Sequence, residues 1–171
     1  MQKLAVVLLA VALLAYAPAA MAQGTASSSI LARANVMTPI QVTPQQNLEF
    51  GNVIPGINKS IPVANASAGR WLVQGTVGAQ VNLDFTALPA TLSDGSNTMP
   101  IVYAANDAGH NTTNNAGAAV LFDPAGTALA NTHATSGELF VWIGGTVQPA
   151  AAQAAGLYQG TITLTANYTG N

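Results

Sequence analysis

His110 and His133 are the only histidines in this 171-residue sequence, and histidine is the side chain best suited to metal ligation or general base catalysis near neutral pH. Each lies in a polar stretch of small residues, NDAGHNTTNNAG (106–117) and NTHATSG (131–137), which predicts an exposed loop. No cysteine is present to complete a tetrahedral metal set. Asp107 is close to His110, but neither H-E-x-x-H nor a comparable spacing occurs. A Ser-His-Asp triad need not be contiguous, yet no G-x-S-x-G marks a nucleophile. The carboxylates, Glu49, Asp84, Asp94, Asp107, Asp123 and Glu138, are scattered, so no acid–base pair stands out. Asp94-Gly95-Ser96-Asn97 begins like a calcium loop but lacks the further acidic ligands and the closing Glu of an EF-hand. A hairpin turn with Gly95 at positive φ is the better reading. No catalytic residue, cofactor or metal site is assigned, and an enzyme is not expected.

Trp71 and Trp142 could instead stack on sugars. In LFVWIGG, however, Leu139, Val141 and Ile143 share one parity while Phe140 and Trp142 share the other. A strand apolar on both faces is central and buried, so Trp142 is expected in the core.

Composition narrows the partners. Charged residues make up 6% of the chain, against about 25% in an average globular protein. No basic stripe exists, so nucleic acid is not an expected partner. Thr, Asn, Gln and Ser supply the polar surface, and a surface with so few charges does little to oppose self-association. Without disulfides, stability must come from core area and sheet hydrogen bonds.

The amino terminus is read as a targeting segment. Gln2 and Lys3 precede the apolar run Leu4–Ala15, which falls short of the ~20 residues a membrane helix needs. Ala20-Met21-Ala22 fits a small-x-small cleavage site, so 1–22 is expected to be a secretory signal peptide. No second long apolar run follows, and the mature chain is expected to be exported without inserting into a membrane.

The rest of the chain reads as strands. No segment predicts a convincing helix; QPAAAQAAG (148–156) is expected to be a turn-like connection with room for one helical turn. Strands are predicted in SILARANV, IQV, NLEFGNVIPG, SIPVA, GRWLVQGTVG, QVNLDF, MPIVYAA, AAVLFD, ELFVWIGGTVQ and GLYQGTITLTANY. The last alternates strictly: Tyr158, Gly160, Ile162, Leu164, Ala166 and Tyr168 share one parity, Gln159, Thr161, Thr163, Thr165 and Asn167 the other. Only Thr169, Gly170 and Asn171 follow it. It is therefore expected to be the final element, and its cover must come from an earlier segment or from another molecule. The expected architecture is an all-β, immunoglobulin-like sandwich at 37–171, preceded by an amino-terminal extension at 23–36.

Taken in order, ARANVMTPIQVT, LEFGNVIPG, WLVQG, LFVWIGGTV and GLYQGTITLTANY resemble the bacterial secreted family catalogued as domain of unknown function 4402. The most specific pieces are Leu48-Glu49-Phe50-Gly51, Gly144-Gly145 and Gly156-x-Tyr158-x-Gly160. That family is similar in turn to fimbrial subunits and to the spore-coat-U-like pilins of archaic chaperone–usher systems. In such pilins the final strand carries a glycine and then a tyrosine near the carboxyl end, and Gly156 and Tyr168 resemble that pair.

The resemblance implies a structural subunit of a fimbria-like surface fibre, exported through the periplasm. Its partners would be identical or homologous subunits, a periplasmic chaperone and an outer-membrane usher. Assembly would proceed by strand donation. The donor segment would present Ile30, Ala32, Ala34 and Val36 on one side, with Arg33 and Asn35 turned the other way. The receiving groove would lie beside the final strand, at Gly156, Tyr158, Gly160, Ile162, Leu164 and Tyr168. The alternative is a self-complete secreted module that binds a glycan or a surface, with Ile30–Val36 paired inside its own chain.

Overall fold

A computed structural model describes residues 24–170. The expected signal peptide lies outside the described residues. Among those described, no helix is long and apolar enough to cross a membrane. The chain divides into two units, one reaching Asn35 and one starting at Val36. In the first, the described residues form neither strand nor helix, and Ile30 is 96% exposed. The strand expected over 29–36 is therefore not formed.

The second unit is all-β. Its strands are β1 (Gln41–Gln46), β2 (Lys59–Ile61), β3 (Gly69–Gln74), β4 (Gln80–Ala87), β5 (Thr91–Ser93) and β6 (Thr98–Val102). They continue with β7 (Ala108–Asn111), β8 (Val120–Phe122), β9 (Thr127–Asn131), β10 (Glu138–Ile143), β11 (Gly145–Val147) and β12 (Thr163–Tyr168). All pairings are antiparallel and build three sheets. Their orders are β1-β3-β10-β7-β8, β2-β11-β6-β5 and β12-β4-β9.

The five-stranded and three-stranded sheets pack as a sandwich. One inner face supplies Val73, Ala108, Leu139, Val141 and Ile143; the other supplies Val81, Leu83, Phe85, Ala128, Ala130, Leu164 and Ala166. Alternation does this directly: in β4, Val81, Leu83 and Phe85 are buried while Asn82 and Asp84 keep contact with solvent. Fully burying a Leu or Ile side chain contributes about 1.5–3 kcal/mol, so this layer is the main source of stability in a disulfide-free chain. A second cluster of Met99, Ile101 and Val147 sits on the four-stranded sheet, packed by Leu48, Phe50, Val53, Leu92 and Tyr158.

β10 is the central strand of its sheet and is apolar on both faces, as its composition predicts. Trp142 is 4% exposed and stacks on Phe140, so it offers no sugar platform.

Several expected boundaries move. ELFVWIGGTVQ is two strands, because the chain leaves one sheet for another at Gly144. A Cβ on Gly144 would collide with the Ile61 carbonyl oxygen, so glycine is required at the crossing. Residues 47–56 hold no strand, although Leu48 and Phe50 are half-buried and Glu49 is exposed, as the parity predicts. The stretch 106–117 is not simply a loop: β7 lies within it and pairs with both β10 and β8. His110 is consequently half-buried against Phe122, not solvated. Residues 148–156 form turns and no helix, and Asp94-Gly95 makes the expected hairpin turn between β5 and β6, with Gly95 at φ 95°.

Candidate functional site

Two edge strands define one open side of the sandwich. Among the described residues, β1 ends the five-stranded sheet and has β3 as its one partner, and β12 ends the three-stranded sheet and has β4 as its one partner. The Thr169 amide donates to the Gln80 carbonyl at 3.3 Å. Antiparallel bonding alternates along a strand, so Asn167 and Thr165 also turn their main-chain groups toward β4. Leu164, Ala166 and Tyr168 therefore turn theirs outward, to the unpaired edge. Leu164 and Ala166 meanwhile point their side chains into the core and are 6% and 5% exposed.

β1 and β12 are tied at one end and part at the other. At the tied end Tyr168 donates its hydroxyl hydrogen to the Thr38 carbonyl at 2.7 Å. At the open end lies a groove of about 1260 Å³. One wall is the chain from Pro44 to Pro55, the other is Gly156–Ile162, and Trp71, Leu92, Met99, Ile101 and Val147 contribute to its apolar lining. Of the lining residues only Glu49 is an Asp, Glu, Lys or Arg.

The Gly156–Ile162 wall is positioned by a few contacts. Gln159 exchanges two main-chain hydrogen bonds with Ser93, both 2.9 Å, which fastens the wall to β5. Tyr158 donates to the Ala154 carbonyl at 2.9 Å and accepts from Gln153 Nε2 at 2.7 Å. A Cβ on Gly160 would sit 2.8 Å from Leu92 Cδ2 and 3.2 Å from Pro89 Cγ, so the wall lies close only because that position is glycine. Below it, the Asp94 carboxyl is held down to about 2 by hydrogen bonds, first from the Asn97 side chain and then from the Asn97 and Ser96 amides.

The predicted final-strand residues split into two groups. Gly156, Tyr158, Gly160 and Ile162 line the groove but lie outside β12, which begins at Thr163. Leu164 and Tyr168 belong to β12 and are not part of the groove lining. Ile30, Ala32 and Ala34 lie in the amino-terminal unit, and Val36 is 93% exposed at the start of the second. Sequence reasoning missed Leu92, Met99, Ile101 and Val147 as groove lining. Their alternation signals burial, and only the fold shows that the buried cluster opens at one side. Trp71 also lines the groove and packs edge-on against Phe85 at 5.8 Å.

The histidines do not meet at a site. His110 is on β7; His133 is in the turn before β10, where Thr135 Oγ1 lies 3.1 Å from Nδ1. Among the described residues no three of His, Cys, Asp and Glu come together as a metal would need.

Fold and site together define an antiparallel β-sandwich in which, among the described residues, an edge strand with one partner lies beside a groove with an apolar floor and polar walls. The chain belongs to the family described as Domain of unknown function (DUF4402), whose model matches residues 40–168. No curated protein matches it.

Proposed function

We propose that this protein is an exported structural subunit of a fimbria-like surface fibre and that its subunits join by strand donation. In this reading the sandwich is immunoglobulin-like. Ile30–Val36 of one subunit lies along the outer edge of β12 and in the groove of the next. Ile30, Ala32, Ala34 and Val36 point inward, and the donated backbone pairs with the free groups of Leu164 and Ala166. The observation that carries the reading is the coincidence of an unpaired β12 edge with a groove of about 1260 Å³ floored by apolar side chains. An exposed edge invites strand addition, and this one carries no charged residue to discourage it. Each contact is head to tail and leaves another groove open, so repetition grows a filament.

A periplasmic chaperone would cover the groove before assembly and an outer-membrane usher would release it. The role is structural, with no catalytic chemistry, nucleic acid or membrane insertion assigned.

The test is Ile30→Asp, which places a carboxylate among the apolar floor residues. The variant is expected to remain monomeric by size-exclusion chromatography while its intact groove still binds a wild-type peptide spanning Ser29–Met37. A variant that polymerises like wild type overturns donation through Ile30. A wild-type protein that stays monomeric and ignores the peptide favours the self-complete binding module.

A further inference from the structure

We infer that the register of the donated segment is set by an ion pair between Arg33 of the donating subunit and Glu49 of the receiving one; this rests on the strand-donation reading. Arg33 is the one charged residue between Gly24 and Ile40. Glu49 is the one Asp, Glu, Lys or Arg among the residues lining the groove. The two are opposite in sign.

Side-chain parity brings them to the same side. Leu48 and Phe50 turn inward onto the second apolar cluster, and Glu49 between them is exposed. The Glu49 amide donates to the Ser67 carbonyl at 2.9 Å, which fixes this stretch of wall in place. Lys59, the cation on β2, donates to the Asn52 carbonyl at 3.0 Å instead of to Glu49. A donated strand with Ile30, Ala32, Ala34 and Val36 inward carries Arg33 outward, on the side where Glu49 stands.

Two kinds of slip are excluded by different groups. A one-residue slip turns Leu31, Arg33 and Asn35 inward and sets the guanidinium over Met99, Ile101 and Val147, where nothing pairs with it. A two-residue slip keeps the apolar side inward but moves Arg33 about 7 Å along the groove, away from Glu49. The floor therefore selects parity and Glu49 selects position. An exposed ion pair adds little affinity, so its role is in register and in the rate of encounter.

The test is a charge-swap cycle in the full chain: Arg33→Glu, Glu49→Arg and the double variant, with polymerisation rates measured at low and at high salt. Each single variant is expected to slow assembly about threefold to tenfold at low salt, the double to recover to within about twofold of wild type, and the differences to shrink at high salt. A double variant as slow as the product of the two singles, or singles that match wild type, overturns the pairing. Ile30→Asp in the same assay separates this failure from the larger one. If Ile30→Asp blocks assembly while the charge swap fails, donation stands and the ion pair falls; if neither affects assembly, both fall.

Discussion

Tyr168 and Thr38 hold the two edge strands together. The tyrosine hydroxyl donates to the Thr38 carbonyl at 2.7 Å and accepts from the Thr76 amide, also at 2.7 Å. Thr76 closes the ring, since its Oγ1 accepts from the Thr38 amide at 2.7 Å. Gly75 makes room: a Cβ there would run into the Tyr168 hydroxyl. The far end of β12 is thereby pinned to the residues that lead into β1, and only the near end opens as a groove.

Tyr168→Phe keeps the ring in place and removes both hydrogen bonds, leaving the Thr76 amide without its partner. Stability should fall by about 1–2 kcal/mol, read as a lower urea midpoint with an unchanged slope. An unchanged midpoint would mean that the tie contributes nothing.

Two glycine substitutions should differ in cost. At Gly144 the added methyl meets the Ile61 main chain, which cannot move without breaking β2 from β11. At Gly160 it meets the end of the Leu92 side chain, which can rotate, and Pro89, which must give slightly. Gly144→Ala is expected to cost about 2–4 kcal/mol and Gly160→Ala about 1 kcal/mol. Denaturant unfolding of the two variants side by side decides, and the reverse order would contradict the crossing described at Gly144.

His110 should make stability pH-dependent. Burial lowers its pKa below the ordinary 6.5, so the folded state resists protonation. The unfolded chain takes up the proton first as pH falls, so stability is full above about 6.5 and declines from there down to the lower folded value. Unfolding midpoints between pH 8 and pH 5 should fall more for wild type than for His110→Asn. Parallel curves would show that His110 does not carry the dependence.

The strands legible in the sequence are those in which large apolar residues alternate, as in β4 and the Leu164–Tyr168 part of β12, or fill both faces, as in β10. β7 was illegible because its core residues are Ala108 and Gly109, which are small and carry little hydrophobic signal. Ala108 is buried in the sandwich core, and Gly109 is buried because Val63, Ala119 and Leu121 crowd it from other parts of the chain. Residues 47–56 show the converse. Their parity was right, yet they join no strand ladder among the described residues and form a groove wall instead. The Gly156–Tyr168 alternation ran across two environments: Gly156–Ile162 leans on β5 through Gln159, and only Thr163–Tyr168 pairs with β4. The shape of the groove was not legible, because a groove is made by where two edges part.

Strand donation rests on the outer edge of β12, and amide hydrogen exchange at Leu164 and Ala166 reads that edge residue by residue. Both amides are expected to exchange at least about a hundredfold more slowly in wild-type assemblies than in monomeric Ile30→Asp, because a donated strand would hydrogen-bond them. Equal exchange at these two amides in assembly and monomer would contradict it, as would wild-type protein that never assembles.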